Sequence, residues 1–154
     1  LAGFSIVGEE RLKLTLASKQ YGYTGEEIAE YLKGQNIFVE FCDKDYITMM
    51  FSPCNNRNDF KKVEKALLSI VKKSPINEYP PCVCTPMVGM NMKEALFAPF
   101  EEVSIDNAVG RILSSPTVSC PPAIPVVVCG EIIDEKSVEI MKYYSINTCV
   151  VVKN

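Results

Sequence analysis

Cys82 and Cys84 come closest, in residue type and spacing, to a metal or redox site. They form a single C-x-C pair, and the other cysteines supply no matching second pair. The chain has no histidine, so a zinc site would lack obvious third and fourth ligands. The same absence excludes Ser-His-Asp and Cys-His catalysis. We therefore expect no metal centre, and a redox or metal protein built on this pair stays open as an alternative.

The seven cysteines as a group are better interpreted as reduced thiols than as a disulfide framework. Their number is odd, and no secretory signal opens the chain. Four of them lie in or beside strand-like apolar runs, where cysteine acts as a small apolar residue: Cys42, Cys120, Cys129 and Cys149.

Composition and charge exclude several classes of partner. The 154 residues carry a formal net charge of -3, and the basic residues are dispersed, which argues against nucleic acid binding. The longest apolar run, Ile124 to Cys129, is strand-sized and contains a proline, so no membrane span is expected. No signal peptide opens the chain, and because it begins at Leu1 rather than at a methionine, we expect a fragment of a larger protein.

The elements of the first half follow from residue patterns. Leucines alternate with polar residues from Leu12 to Leu16, which predicts a half-buried strand. Thr24 and Glu27 have the capping-box spacing, so a helix is expected to begin there. That helix would bury Ile28, Tyr31 and Leu32, and Gly34 would end it in the left-handed conformation.

Two further strands and a second helix are predicted before the first proline cluster. The strands cover Ile37 to Cys42 and Tyr46 to Phe51, joined as an antiparallel hairpin. A helix from about Asp59 to Lys73 follows. Apolar residues recurring at three and four positions predict its buried stripe: Phe60, Val63, Leu67, Ile70 and Val71.

Shorter elements are expected in the second half. Helices are predicted over about 91–97 and after Asp134, and a helical turn over 106–112. Strands are predicted over 101–104, 126–128 and 148–152. The fold class is therefore α/β (α+β), with two small sandwich subdomains. We place them at 1–73 and 87–154, joined by a proline-rich linker over 74–86.

The segment from Glu101 to Glu131 carries a family resemblance. It contains Glu-Glu-Val-Ser-Ile-Asp-Asn-Ala-Val-Gly-Arg-Ile, a short spacer, and then Cys-Pro-Pro-Ala-Ile-Pro-Val-Val-Val-Cys-Gly-Glu. This order resembles the carboxy-terminal domain of the bacterial ornithine/lysine/arginine decarboxylase family. Residues 92–99 resemble the helix that precedes this segment in the family. Residues 11–73 look like the small subdomain that follows the cofactor domain in fold-type I pyridoxal phosphate enzymes.

Three positions depart from the family pattern. Cys120 stands where the family has tyrosine, Ala123 where it has glycine, and Cys129 where it has proline. A glycine is used where backbone must turn sharply or approach closely, so Ala123 implies a relaxed turn. These changes bear on the substrate and on the level of activity.

The resemblance implies a decarboxylase of ornithine, lysine or arginine with pyridoxal phosphate as electron sink, acting in polyamine metabolism. In the family the cofactor lysine follows a histidine, and this chain has none. The resemblance therefore implies a missing amino-terminal cofactor domain as partner, and no cofactor bound to this piece, which should be inactive alone. Its role would be to complete the active-site wall of a homodimer or larger oligomer.

The resemblance also implies substrate-binding residues. Glu101, Glu102 and Asp106 lie in the family's acidic stretch and could pair with the distal cation of a basic amino acid, Glu102 foremost. Arg111 could bind the substrate carboxylate. The alternative is structural, with exposed acids at a strand edge and helix start and with Arg111 in a salt bridge.

A different class of function also fits the first half. The order strand, helix, strand, strand, helix begins ferredoxin-like regulatory modules that bind amino acids without catalysis. Such a module has no need of the segment 101–131, which favours the decarboxylase interpretation.

Overall fold

The computed structural model describes residues 3–83, 85–120 and 124–153. Cys84 and Ala123, both singled out above, lie outside the described residues. The chain forms two compact units, residues 1–79 and 80–154. Both mix helices with small sheets, which confirms the predicted fold class. None of the helices within the described ranges is long and apolar enough to cross a membrane.

Unit 1 is a four-stranded antiparallel sheet with two helices. The strands are β1 (Ser5–Val7), β2 (Lys13–Ala17), β3 (Phe41–Cys42) and β4 (Tyr46–Met50), in the order β1-β2-β4-β3. The helices are α1 (Gly25–Lys33) and α2 (Arg57–Leu68). The predicted order is recovered as β2, α1, β3, β4 and α2, while β1 was not predicted. Leu16 and Ile47 pair across the sheet and are buried with Ile28, Leu32 and Leu67.

Helix α1 begins as predicted and ends differently. Thr24 Oγ1 accepts a hydrogen bond from Glu27 N, and Glu27 Oε2 accepts one from Thr24 N, which completes the capping box. The left-handed residue is Asn36 (φ 55°), whereas Gly34 has φ -60°, so that part of the prediction was wrong. The helix continues as tight turns, with Gln35 N and Asn36 N bonded to carbonyls of its last turn.

Helix α2 stops at Leu68, five residues before the predicted end. The hydroxyls of Tyr21 and Tyr23 donate to the carbonyls of Ile70 and Val71, and Lys73 N donates to Tyr21 O. These tertiary hydrogen bonds hold residues 70–73 away from the helical path. Val71 is consequently 76% exposed, against the predicted buried stripe, and Phe60 is 47% exposed.

The first strand of the predicted hairpin is also shorter than expected. The paired strand is Phe41–Cys42, preceded by a hydrogen bond from Glu40 N to Thr48 O, while Ile37 N is still bonded to Leu32 O at the end of α1. Residues 71–83 contain neither helix nor strand.

Unit 2 contains two β-ribbons and two helices. Strand β5 (Phe100–Ser104) pairs with β8 (Thr148–Val152), and β6 (Thr117–Cys120) with β7 (Ile124–Val128), both antiparallel. The helices are α3 (Met92–Phe97) and α4 (Glu135–Tyr143). Strand β6 was not predicted. The predicted helical turn over 106–112 is only a 3-10 turn at Ile105–Asn107, because residues 112 and 113 form β-bridges instead.

Candidate functional site

Strand β5 positions two of the candidate carboxylates on opposite sides of a ribbon. Glu101 pairs with Val151 and Glu102 with Val150, and adjacent side chains of a strand alternate between faces. Val151 is fully buried, so the face that carries Glu101 lies toward the core of unit 2. Glu102 is exposed on the other face.

Arg111 forms an ion pair with Glu101. Its Nη2 donates to Glu101 Oε1 at 2.6 Å and to the carbonyl oxygen of Val152 at 2.7 Å. The Arg111 side chain is only 18% exposed and that of Glu101 is 41% exposed. The arginine therefore fastens the end of β8 to the start of β5, as the structural alternative for this residue would require.

Local backbone hydrogen bonds place Arg111 for this contact. Gly110 has φ +80°, and its N–H donates to the carbonyl of Ile133 at 2.8 Å. Ile133 N returns a hydrogen bond to Arg111 O at 2.9 Å, so the segment after Gly110 runs as a strand rather than a helix. The Nε atom of Arg111 is buried without a partner among the described residues.

Asp106 forms a separate ion pair, with Lys142 rather than with Arg111. It is in the 3-10 turn after β5, and its Oδ1 lies 2.5 Å from Lys142 Nζ on α4. The side chains of Asp106 and Lys142 are 67% and 55% exposed. An ion pair with that exposure contributes little to stability and leaves the carboxylate accessible.

Glu102 forms no hydrogen bond or ion pair with the part of the chain that the structure describes. Its negative charge nevertheless affects the pKa of Cys149, a buried residue that pairs with Val103 across the ribbon. Burial raises the pKa of the Cys149 thiol, the Arg111 guanidinium opposes that change, and the Glu102 carboxylate adds to it. The thiol is therefore protonated at neutral pH and is no nucleophile.

Two polar groups in unit 2 were not identified from the sequence. Glu131 Oε2 accepts a hydrogen bond from Val128 N at 2.9 Å, which closes the turn after β7. Ser114 Oγ, which is buried, donates to Ala95 O at 2.8 Å and fixes α3. The Glu131 contact is local, within one turn, whereas the Ser114 contact joins segments 19 residues apart and leaves no local sequence signal.

The described residues add no support to the alternative of a metal or redox site built on Cys82 and Cys84. Within residues 3–83, 85–120 and 124–153, no three Cys, Asp or Glu side chains gather in an arrangement that could hold a metal ion. Cys82 is exposed, and burial raises the pKa of Cys129, whose thiol donates to Met92 O.

Residues 91–151 match a family described as the Orn/Lys/Arg decarboxylase C-terminal domain. All four candidate residues lie within the match. An arginine decarboxylase of Bacillus subtilis (strain 168) is 29% identical over 133 residues, which cover 82% of this chain and 27% of that protein. An arginine decarboxylase of Bacillus anthracis is 26% identical over 140 residues, covering 84% and 28%. The chain thus spans about a quarter of the length of these relatives.

Solved structures of lysine decarboxylases share the fold. Lysine decarboxylase A from Pseudomonas aeruginosa aligns with a TM-score of 0.70 at 16% identity, covering 96% of this chain and 31% of that chain. The Francisella novicida lysine decarboxylase aligns with a TM-score of 0.67 at 12% identity, covering 97% and 32%.

Proposed function

We propose that the chain is the carboxy-terminal part of a pyridoxal-phosphate-dependent decarboxylase of ornithine, lysine or arginine, and that its second unit is a member of the family of Orn/Lys/Arg decarboxylase C-terminal domains. The observation that carries this proposal is the match over residues 91–151, which contains β5 and all four candidate residues. Its relatives named arginine decarboxylase support the same reaction class. We further infer a cytoplasmic homodimer or larger oligomer that serves polyamine metabolism.

The cofactor site is assigned to the missing amino-terminal region. Pyridoxal phosphate supplies an electron sink when it is held by a lysine. The residues of this chain do not fit that group: Lys19 is the buried lysine, and its Nζ lies 3.1 Å from Asp45 Oδ1 and donates to Glu78 O at 3.0 Å. We therefore assign no chemical step to this chain and expect it to be inactive alone.

Glu102 is the candidate that we assign to the distal cation of the substrate. Glu101 is already compensated by Arg111, and Asp106 by Lys142. The charge of Glu102 is not compensated by any described side chain. An ammonium or guanidinium group that leaves water needs such a carboxylate. Glu101 and Arg111 then contribute by holding β5 in place beside the substrate, whereas Asp106 stays an accessible carboxylate with a weaker claim.

The upstream coding sequence and one substitution test the proposal. A lysine preceded by histidine should occur in the region that precedes this chain, and its absence would contradict the enzyme assignment. In the complete enzyme, Glu102→Gln should raise KM for the basic amino acid about 10-fold to 100-fold, the effect of losing a charged hydrogen bond. Glu139→Gln, an exposed acid on α4, is the matched control and should leave KM unchanged. Equal kinetics for both variants would remove Glu102 from the site.

A further inference from the structure

Unit 1 has an open groove between the start of β2 and helix α2, with a volume of about 560 Å³. Its floor is apolar and includes Leu14, Phe51, Phe60 and Val63. This volume lies within the range of natural ligand sites, which is roughly 300–1,000 Å³. All the residues that line the groove belong to unit 1, so its shape is set by this unit alone.

An aromatic pair forms the most exposed part of the floor. The rings of Phe51 and Phe60 stack with centroids 4.9 Å apart and planes inclined by 29°. Phe60 remains 47% exposed although it lies on α2 beside the core. A stacked pair that no residue of unit 1 covers is a preformed contact surface for an apolar side chain.

The rim of the groove is basic. Arg11, Arg57 and Lys61 border it and form no ion pair with the described residues. Lys13 also lies on the rim, but its Nζ is 2.8 Å from Glu10 Oε2. Glu64 is the acidic side chain among the lining residues. The groove therefore carries an excess of positive charge around an apolar floor.

We propose that this groove docks an acidic, amphipathic polypeptide segment of a partner chain. Its apolar side chains would cover the Phe51–Phe60 pair, and its carboxylates would meet Arg11, Arg57 and Lys61. Binding of an amphipathic helix in an apolar groove with complementary charges at its border is a recurrent mode of peptide recognition. A nucleic acid would need the cations but not the apolar floor. The floor is therefore the feature that favours a polypeptide.

Two synthetic peptides of 18 residues test the proposal on the complete polypeptide that contains this chain. A groove covered by the polypeptide's own amino-terminal region would show no binding and would overturn the proposal. One carries leucine and phenylalanine at helical spacing with glutamate elsewhere, and the other has glutamine in place of every glutamate. Fluorescence anisotropy of the labelled peptides should show that the glutamate peptide binds about tenfold or more tightly than the glutamine peptide. The advantage should shrink when salt is raised from 50 to 300 mM, since exposed charges are screened (about 8 Å Debye length at physiological ionic strength).

Matched variants separate the two components of the groove. The double variant Arg57→Glu and Lys61→Glu should abolish the preference for the glutamate peptide. Arg57 is the first residue of α2, where an acidic residue suits the helix dipole, so folding should survive. Lys93→Glu with Lys136→Glu makes the same charge change on exposed residues of unit 2 and should bind normally. Phe60→Ala, checked for folding by circular dichroism, should weaken both peptides.

Three further results would overturn the proposal. The first is equal affinity for both peptides. The second is binding of heparin that displaces the peptide and is unaffected by Phe60→Ala, which would mark a simple polyanion site. The third is sedimentation evidence that the chain self-associates and that the Arg57 and Lys61 reversals dissociate it, which would make a second copy the occupant. None of these measurements depends on decarboxylase activity.

Discussion

Arg111 fastens one end of the β5–β8 ribbon, because one nitrogen, Nη2, donates both to Glu101 Oε1 in β5 and to Val152 O in β8. Arg111 and Glu101 are ten positions apart in sequence. They meet because the chain turns at Gly110, and the backbone of Gly110 and Arg111 then forms hydrogen bonds with that of Ile133. This contact fixes the strand that carries Glu102.

Removal of the arginine side chain should therefore loosen unit 2. We expect Arg111→Ala to lower the free energy of unfolding by about 1–2 kcal/mol, the range for losing hydrogen bonds of a partly buried charged group. Denaturant unfolding gives this value, and the rate at which the buried Cys149 thiol reacts with an aromatic disulfide reports on unit 2 specifically. Lys142→Ala, which breaks the exposed pair with Asp106, is the control and should cost less than about 0.5 kcal/mol. Equal effects of the two variants would refute the role given to Arg111.

Lys19 should be required to hold the segment after α2. Its side chain is 9% exposed, pairs with Asp45 and donates to the carbonyl of Glu78. Lys19→Met would leave a buried carboxylate uncompensated, so we expect a loss of about 3 kcal/mol. Trypsin should then cleave after Lys72 and Lys73 much faster than in the unaltered chain. Lys33→Met, which removes an exposed pair with Glu30, should change neither quantity.

The glycines at the start of helix α1 and directly after its end should respond to alanine in opposite ways. A Cβ at Gly25 would lie 2.1 Å from Tyr46 O and 2.4 Å from Asp43 O, so Gly25→Ala must displace the β3–β4 hairpin. We expect most of the fold of unit 1 to be lost. Gly34 has an ordinary helical φ, and its nearest neighbour would be 3.4 Å away. Gly34→Ala should therefore stabilise the unit by about 0.4–1 kcal/mol. Thermal unfolding of the two variants measures both effects, and a Gly25→Ala variant as stable as Gly34→Ala would contradict the prediction.

Asp43 should make unit 1 less stable as pH rises through the acidic range. Burial raises the pKa of this carboxyl, hydrogen bonds from Tyr46 N and Asp45 N oppose the shift, and the charges of Asp45 and Glu26 add to it. The folded state thus binds the Asp43 proton more tightly than the unfolded state, whose pKa is about 3.9. Stability from this group is present below that value and is lost as pH rises through the folded pKa.

The substitution Asp43→Asn tests whether ionisation of the Asp43 carboxyl lowers the stability of unit 1. Asparagine keeps an acceptor for Asp45 N and Tyr46 N, which Asp43 Oδ1 now bonds at 2.7 and 2.6 Å, and it removes the buried charge. The variant should be at least as stable as the parent at pH 7, and the difference should vanish toward pH 3. Urea unfolding at several pH values measures this. A variant that is less stable at pH 7 and unchanged at pH 3 would show that the carboxylate stabilises the fold.

Local signals in the sequence predicted the helix starts well. The capping contacts of Thr24 with Glu27 and of Asp134 act within one turn, so the residue types at those positions were sufficient. The end of α2 was not predictable in this way, since it depends on the hydroxyls of Tyr21 and Tyr23 about 50 residues upstream. The acidic stretch around Glu102 was likewise found from the sequence. Which of its carboxylates is compensated depends on long-range contacts with Arg111 and Lys142 and required the structure.

Release of carbon dioxide from labelled amino acids tests the central claim most directly. The complete polypeptide that contains this chain, supplied with pyridoxal phosphate, should release the α-carboxylate of arginine, lysine or ornithine, and the 154-residue chain alone should release none. Absence of turnover by the complete polypeptide with all three amino acids, or turnover by this chain unaided, would contradict the account.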